Sequence, residues 1–430
     1  MVVGVGFPDS AVLPDASLSQ SSSSNAPKIE VSSDRRIPVL DGLRGIAVLL
    51  VLVFHFWEFG TTTGTSLWER AYAGAAGMGW AGVDLFFVLS GFLITGILYD
   101  SRGSRHYYQV FYGRRTVRIF PLYYASLALF FWIIPFLLVR MHHTNLAEAH
   151  NGPHAKLFAW TYLVNWYEGA KGFNVLSLPL QPFWSLAIEE QFYLAWPFLV
   201  LTLGRRRLMG VCVGLMAFAF ASRAVLYGFH LPYAAYMWTF CRADSLAVGA
   251  LVALCARDPQ HWKTLVKWAR FLALPAICAV IGVRILNPEC TTGPGSSPNF
   301  FMGTFALSLL GIFFGSCVAM AVCLRQGTFM HRFLGSPFLR FFGKYSYCMY
   351  ICNVPLIVFF SKAGLNSDHL FHFVHNEFLA VLTLNGLAFA ATIGVALASW
   401  NLYEKQWLKL KDLPILHRAE RPFDGATVAS

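Results

Sequence analysis

Arg44 and His55 lie in one unbroken apolar run, LDGLRGIAVLLVLVFHFWEFG. Their spacing of eleven residues turns a helix by about 1100°, within about 20° of three full turns, so both side chains share a face, ~16 Å apart along the axis. An ionisable pair in a membrane helix is costly and by default marks a functional site. Stacked on one helix would be a cation suited to an anionic group and an imidazole able to take a proton. The bland alternative is an Arg snorkelling to one interface and an unrelated His near the other.

Other polar islands interrupt the apolar stretches. Asp41 lies one turn before Arg44, and Asp84 sits in GWAGVDLFFVLSGFLITG. Arg115 and Arg118, one turn apart in GRRTVRIFPLYY, are paired guanidinium forks of the kind that holds phosphate, although a basic helix end also serves as a plain interfacial anchor. Glu189 and Glu190 share WSLAIEEQFYLAWP, and RADSLAVGAL carries Arg242 and Asp244. Two carboxylates in an apolar helix need partners. His55 is expected at similar depth, and a carboxylate-oriented His is a general base near neutral pH. An ion pair of Glu189 with Arg242 is the structural alternative. Arg44, Arg115 and Arg118 at one face, with His55 beyond them, would suit a long donor with a phosphorylated head and its reactive end at His55.

The elements that must position these residues are membrane helices. Of 430 residues 56% are hydrophobic and only 13% charged, where a soluble domain carries about 25% charged residues. Ten apolar stretches approach the ~20 residues of a bilayer span: 40–60, 79–99, 119–140, 183–203, 208–228, 236–256, 267–287, 300–323, 339–361 and 379–402. The fold class expected is therefore an all-α polytopic bundle of ten transmembrane helices. With the N-terminus in the cytoplasm, 24 of the 33 Lys and Arg fall in cytoplasmic segments and 5 in outer loops, while Arg44, Arg223, Arg242 and Arg284 lie within spans. That split is what the positive-inside rule expects. The net charge of +11 then reflects topology against anionic lipid and gives no reason to invoke nucleic acid.

Residues 1–36, Ser-rich and broken by proline, read as a disordered cytoplasmic tail without the features of a cleaved signal peptide. Residues 37–405 read as the membrane domain and 406–430 as a cytoplasmic tail. The outer connection 141–182 carries Trp160, Tyr162, Trp166 and Tyr167, suited either to a lid over an acceptor site or to the headgroup level. The nine Cys show no disulfide framework, and Cys348 with Cys352 lacks the second pair a metal site needs. His369, His372 and His375 fan around a helix with no accompanying base, so no metal is expected. No GxSxG, GxxxxGK[ST] or GxGxxG motif is present, so serine hydrolase, ATP and dinucleotide chemistry have no support.

With these motifs in order, the chain resembles the acyltransferase 3 family of integral membrane O-acyltransferases over most of 37–405. GKYSYCMYICNVPLI in the ninth span adds to the likeness. The resemblance implies transfer of an acyl group, commonly acetyl, from acyl-CoA to a hydroxyl of an extracytoplasmic glycan, with no tightly bound cofactor. It implies that Arg115 and Arg118, with Arg44, meet the CoA phosphates and that His55 is catalytic. Glu189 or Glu190 would orient His55, with Asp41, Asp84, Arg242 and Asp244 as supporting polar groups. The expected partners are acyl-CoA, a glycan or glycoconjugate and membrane lipid; the expected site is the bacterial cytoplasmic membrane, with both termini inside. The chain departs from the family where many members carry His and this sequence has Asn353, which can hydrogen-bond but cannot take a proton. Some members also carry a C-terminal hydrolase-like domain. None is seen here, so the transfer is expected to finish within the membrane domain or with a separate partner. The rivals are a proton-coupled transporter and an acyltransferase acting on a small glycosylated metabolite.

Overall fold

A computed structural model describes residues 37–59, 67–140, 153–172, 178–287, 299–413 and 416. The N-terminal tail, and the C-terminal tail beyond 413 apart from Leu416, lie outside the described residues. Among the described residues there is no strand.

The chain begins with α1 (Pro38–Phe59), α2 (Leu67–Ala76), α3 (Gly82–Asp100) and α4 (Tyr107–Ala128), which runs on through a π-helical turn into α5 (Ile134–Arg140). Two short helices follow, α6 (Pro153–Trp160) and α7 (Val164–Lys171), then α8 (Phe183–Thr202), α9 (Arg205–Gly228), α10 (Pro232–Met237) and α11 (Thr239–Cys255). The rest is α12 (Pro259–Leu286), α13 (Leu307–Val322), α14 (Phe329–Leu334), α15 (Pro337–Lys362), α16 (Ser367–Val374), α17 (Glu377–Ser399) and α18 (Lys405–Leu408).

Every expected span is helical. Eight helices among the described residues are long and apolar enough to cross a membrane. The two expected spans that miss this standard are α8 and α15, of 20 and 26 residues, ~30 and ~39 Å long. Their length suffices; their apolar character is diluted by Glu189, Glu190 and Gln191 in one and by Arg340, Lys344 and Asn353 in the other. The protein is an all-α polytopic membrane bundle.

Close helix approach fixes the site's geometry. A Cβ added at Gly343 would overlap the Asp41 carbonyl, and one at Gly45 would overlap the Leu339 carbonyl, so α1 and α15 run side by side with backbones nearly touching. That contact carries His55 and Asn353 to the same level. A similar approach joins α3 and α11, where Gly249 lies on the Val88 carbonyl.

The described part of the connection between α5 and α8 packs on the bundle. Between α6 and α7 the chain turns at Tyr162, whose φ of +55° is unusual for a bulky residue. Its ring stacks on Tyr123 of α4 at 4.1 Å, and its carbonyl accepts from the Gln191 amide of α8 at 2.7 Å. Trp160 stacks on Tyr124 at 4.9 Å. Tyr123 is five residues from Arg118, ~7.5 Å along α4. These partners describe a connection whose aromatic residues pack against α4 and α8 of the bundle. At the other end helix continues past 405, through α18 and a tight turn to Asp412.

Candidate active site

His55 projects from α1 toward α15, and its Nδ1 lies 2.7 Å from the side-chain oxygen of Asn353. Asn353 is fully buried, and its amide nitrogen donates to the carbonyls of Met349 (3.0 Å) and Tyr350 (2.7 Å). Both donors are therefore committed to backbone, and only the amide oxygen is left to face the imidazole. An oxygen accepts, so Nδ1 must carry a proton, and in the neutral ring Nε2 keeps its lone pair. One hydrogen-bond network thus sets the tautomer of this imidazole.

This corrects the expected pairing of His55 with a glutamate. Glu189 instead accepts from Ser90 Oγ at 2.6 Å through Oε1 and from the Tyr193 hydroxyl at 3.1 Å through Oε2. Its charged neighbours are Arg115 and Arg44, and the Arg115 guanidinium lies 5.0 Å over the Tyr193 ring. Glu190 has Arg115 and Glu189 as its charged neighbours and is felt by Tyr162 of the inserted turn. Adjacent helix positions diverge by 100°, so the two carboxylates serve different surroundings.

The cations gather at one end of the bundle. A cavity of about 390 Å³ is lined by Arg44, Arg114, Arg115, Arg118, Lys344 and Lys411, with Asp41 and Glu404 as its acids. Asp41 meets Arg44 at 3.5 Å. The three expected phosphate ligands therefore do share one chamber. His55, Glu189 and Glu190 are not among its lining residues; His55 lies beyond it along α1, at the separation the helix dictates.

The expected supporting residues do not form one cluster. Arg242 donates to Asp84 at 3.0 Å, a fully buried pair joined by Ser245 Oγ at 2.9 Å. The anticipated alternative, Arg242 with Glu189, is not the pair formed. Asp244 lies 200° around the helix from Arg242 and pairs with Arg223 of α9 at 2.6 Å, with Ser308 bridging. Arg223 had been noted only as a charge within a span. Sequence reading also missed Glu168 of α7, which is fully buried with no hydrogen-bond partner on either oxygen among the described residues. Burial pushes its carboxyl well above the ordinary range. Its one signal was a carboxylate in an aromatic segment.

A polytopic helical membrane protein with an anion-suited chamber at one end and a tautomer-fixed imidazole deeper inside is the class these observations define. Residues 37–403 match the acyltransferase-domain family of acyltransferase 3 type, and the chain belongs to that family. Among similar proteins, O-acetyltransferase OatA of Staphylococcus aureus (strain NCTC 8325 / PS 47) is 28% identical over 343 residues, 76% of this chain and 51% of the relative. YrhL of Bacillus subtilis (strain 168), provisionally named a peptidoglycan O-acetyltransferase, is 31% identical over 350 residues, 75% of this chain and 49% of the relative. A Staphylococcus aureus (strain COL) protein provisionally named an O-acetyltransferase is 29% identical over 355 residues, 76% and 51% of the two chains. The chain spans about half the length of these curated relatives. No solved structure matches it at a significant level.

Proposed function

We propose that this protein moves an acetyl group from acetyl-CoA to a hydroxyl of a cell-envelope glycan or its precursor, working in the bacterial cytoplasmic membrane. The observation that carries the proposal is the Asn353–His55 pair, which leaves Nε2 unprotonated beyond a chamber rich in guanidinium groups. The phosphates of CoA enter the chamber from the cytoplasmic side and meet Arg44, Arg115 and Arg118, and the pantetheine arm extends along α1 toward His55. Family membership and the names of the similar proteins support acetyl as the group and a glycan as the acceptor.

In the reaction Nε2 of His55 takes the proton of the acceptor hydroxyl as its oxygen attacks the thioester carbonyl. The C–S bond then breaks, and the thiolate leaves with the proton from His55. The products are an O-acetyl ester and CoA thiol. The Asn353 oxygen holds the imidazolium in place throughout. Glu189, tied to Ser90 and Tyr193 beside Arg115 and Arg44, offsets the cationic chamber and takes no proton from the acceptor. No tightly bound cofactor has a part.

Radiolabelled acetyl-CoA offered to purified protein, with and without a cell-envelope glycan fraction, tests the reading. Label should pass to glycan with wild type and fail to with His55→Ala. Transfer surviving in His55→Ala would remove His55 from the chemistry, and absence of thioester cleavage by wild type would remove the donor.

A further inference from the structure

The basic chamber is closed on one side by chain that follows the last apolar span. Trp400, Glu404, Trp407 and Lys411 all line it. This segment is fastened to α4, the helix that supplies Arg114, Arg115 and Arg118. The Tyr403 hydroxyl donates to the Pro121 carbonyl at 3.1 Å, and the Leu416 side chain lies so close to Gly113 that a Cβ there would overlap it. A π-helical turn at Trp400–Glu404 lies within this segment.

The aromatic groups of the chamber are not equivalent. Tyr107 and Tyr347 donate their hydroxyls to the carbonyls of Pro197 (3.0 Å) and Ile119 (2.8 Å). The Trp400 ring is covered by the Lys344 ammonium at 4.7 Å. Trp407 is 41% exposed, and its ring contact among the described residues is a T-shaped one with Tyr403 at 6.1 Å. A partly exposed indole thus stands in a wall whose charged lining is six cations against two acids. A ligand that uses both features carries several phosphates and a planar heteroaromatic ring.

We propose that Trp407 stacks on the adenine of the donor, so that residues 400–411 recognise the nucleotide end of CoA while the arginines of α4 hold its phosphates. The inference rests on the acyl-CoA reading above. The competing role for a Trp in this position is an anchor at the membrane interface, which makes no distinction between the two ends of a donor.

Fragments of the donor separate these roles. Labelled CoA is displaced from the full-length, detergent-solubilised protein by adenosine 3′,5′-bisphosphate or by 4′-phosphopantetheine. Trp407→Leu should weaken the adenosine fragment about tenfold, the scale of one base–aromatic stack, and leave phosphopantetheine within about twofold. Trp407→Phe should restore most of the loss. In unaltered protein, 8-azidoadenosine 3′,5′-bisphosphate should photolabel the peptide that contains Trp407. Equal effects on both fragments, no effect on either, or labelling confined to another segment would overturn the stacking role with the donor reading intact. Failure of wild type to bind CoA at all would instead bring down the donor reading itself.

Discussion

Asn353 decides which nitrogen of His55 is available. Because its amide donors are fixed on two backbone carbonyls, its oxygen keeps the proton on Nδ1, and Asn353→Ala should free the ring to rotate and exchange tautomers. Acetyl transfer should then fall by about 10²–10⁴, the range of general-base catalysis, with the KM for acetyl-CoA little changed because the chamber is untouched. Asn353→Asp tests the electrostatic side. A carboxylate there would favour the imidazolium, so the acid limb of the kcat–pH profile should move to higher pH. An unmoved limb would sink His55 as the titrating base. The sequence made His55 and Arg44 legible, because spacing along a helix fixes both separation and face. It did not reveal that Glu189 turns to Ser90 and Tyr193, since depth in the membrane is countable from residue number but the facing of one helix toward another is not.

At the scale of elements, small residues decide what can approach. Gly343→Ala would drive a methyl into the Asp41 carbonyl, forcing α1 and α15 apart at a cost of about 1–3 kcal/mol and loosening the His55–Asn353 contact. Gly282 of α12 has nothing near its Cβ position, so Gly282→Ala should leave both the melting temperature in detergent and the activity unchanged; equal losses in the two variants would discredit the packing argument. The inserted helices α6 and α7 supply a pH dependence. Glu168 is buried without a partner among the described residues, and its carboxyl is raised well above its ordinary value. Its contribution is intact while the group is protonated in both folded and unfolded chains. It is lost as pH climbs from the ordinary carboxylate range through the raised folded value. Glu168→Gln should therefore melt higher than wild type at alkaline pH and show a shallower decline of melting temperature with pH. A parallel decline in both proteins would count against Glu168 as its source. The eight described helices that are long and apolar enough to cross a membrane were readable because apolar length marks such a helix; α8 and α15, diluted by polar residues, fall short of that measure. The insert was not readable, because α6 and α7 are too short and mixed in composition to carry a period, and their place is set by contacts with Tyr123 and Gln191.

For the whole molecule, the segregation of charge and the proposed chemistry must agree about sides. The chamber that gathers Arg44, Arg115 and Arg118 opens at the end where α1 and α15 begin, and that end also holds most of the basic connections counted from the sequence. Acetyl-CoA is confined to the cytoplasm, so a chamber facing outward could not be loaded whatever its affinity. Topology is therefore a test of function as well as of fold. Arg325, exposed in the turn between α13 and α14, marks the chamber end, and Lys156, exposed on α6, marks the other. In otherwise cysteine-free protein, a membrane-impermeant maleimide should label Lys156→Cys in intact spheroplasts and Arg325→Cys only after the membrane is opened. The reverse pattern would place the arginines outside and end the acyl-CoA assignment, even though every helix stood where it stands now. Binding should follow the same charge logic. With four more cations than acids lining the chamber, CoA affinity should fall steadily as salt is raised. Arg118→Gln should flatten that salt dependence while leaving the helical circular dichroism unchanged, because Arg118 is exposed to the chamber and not packed in the core.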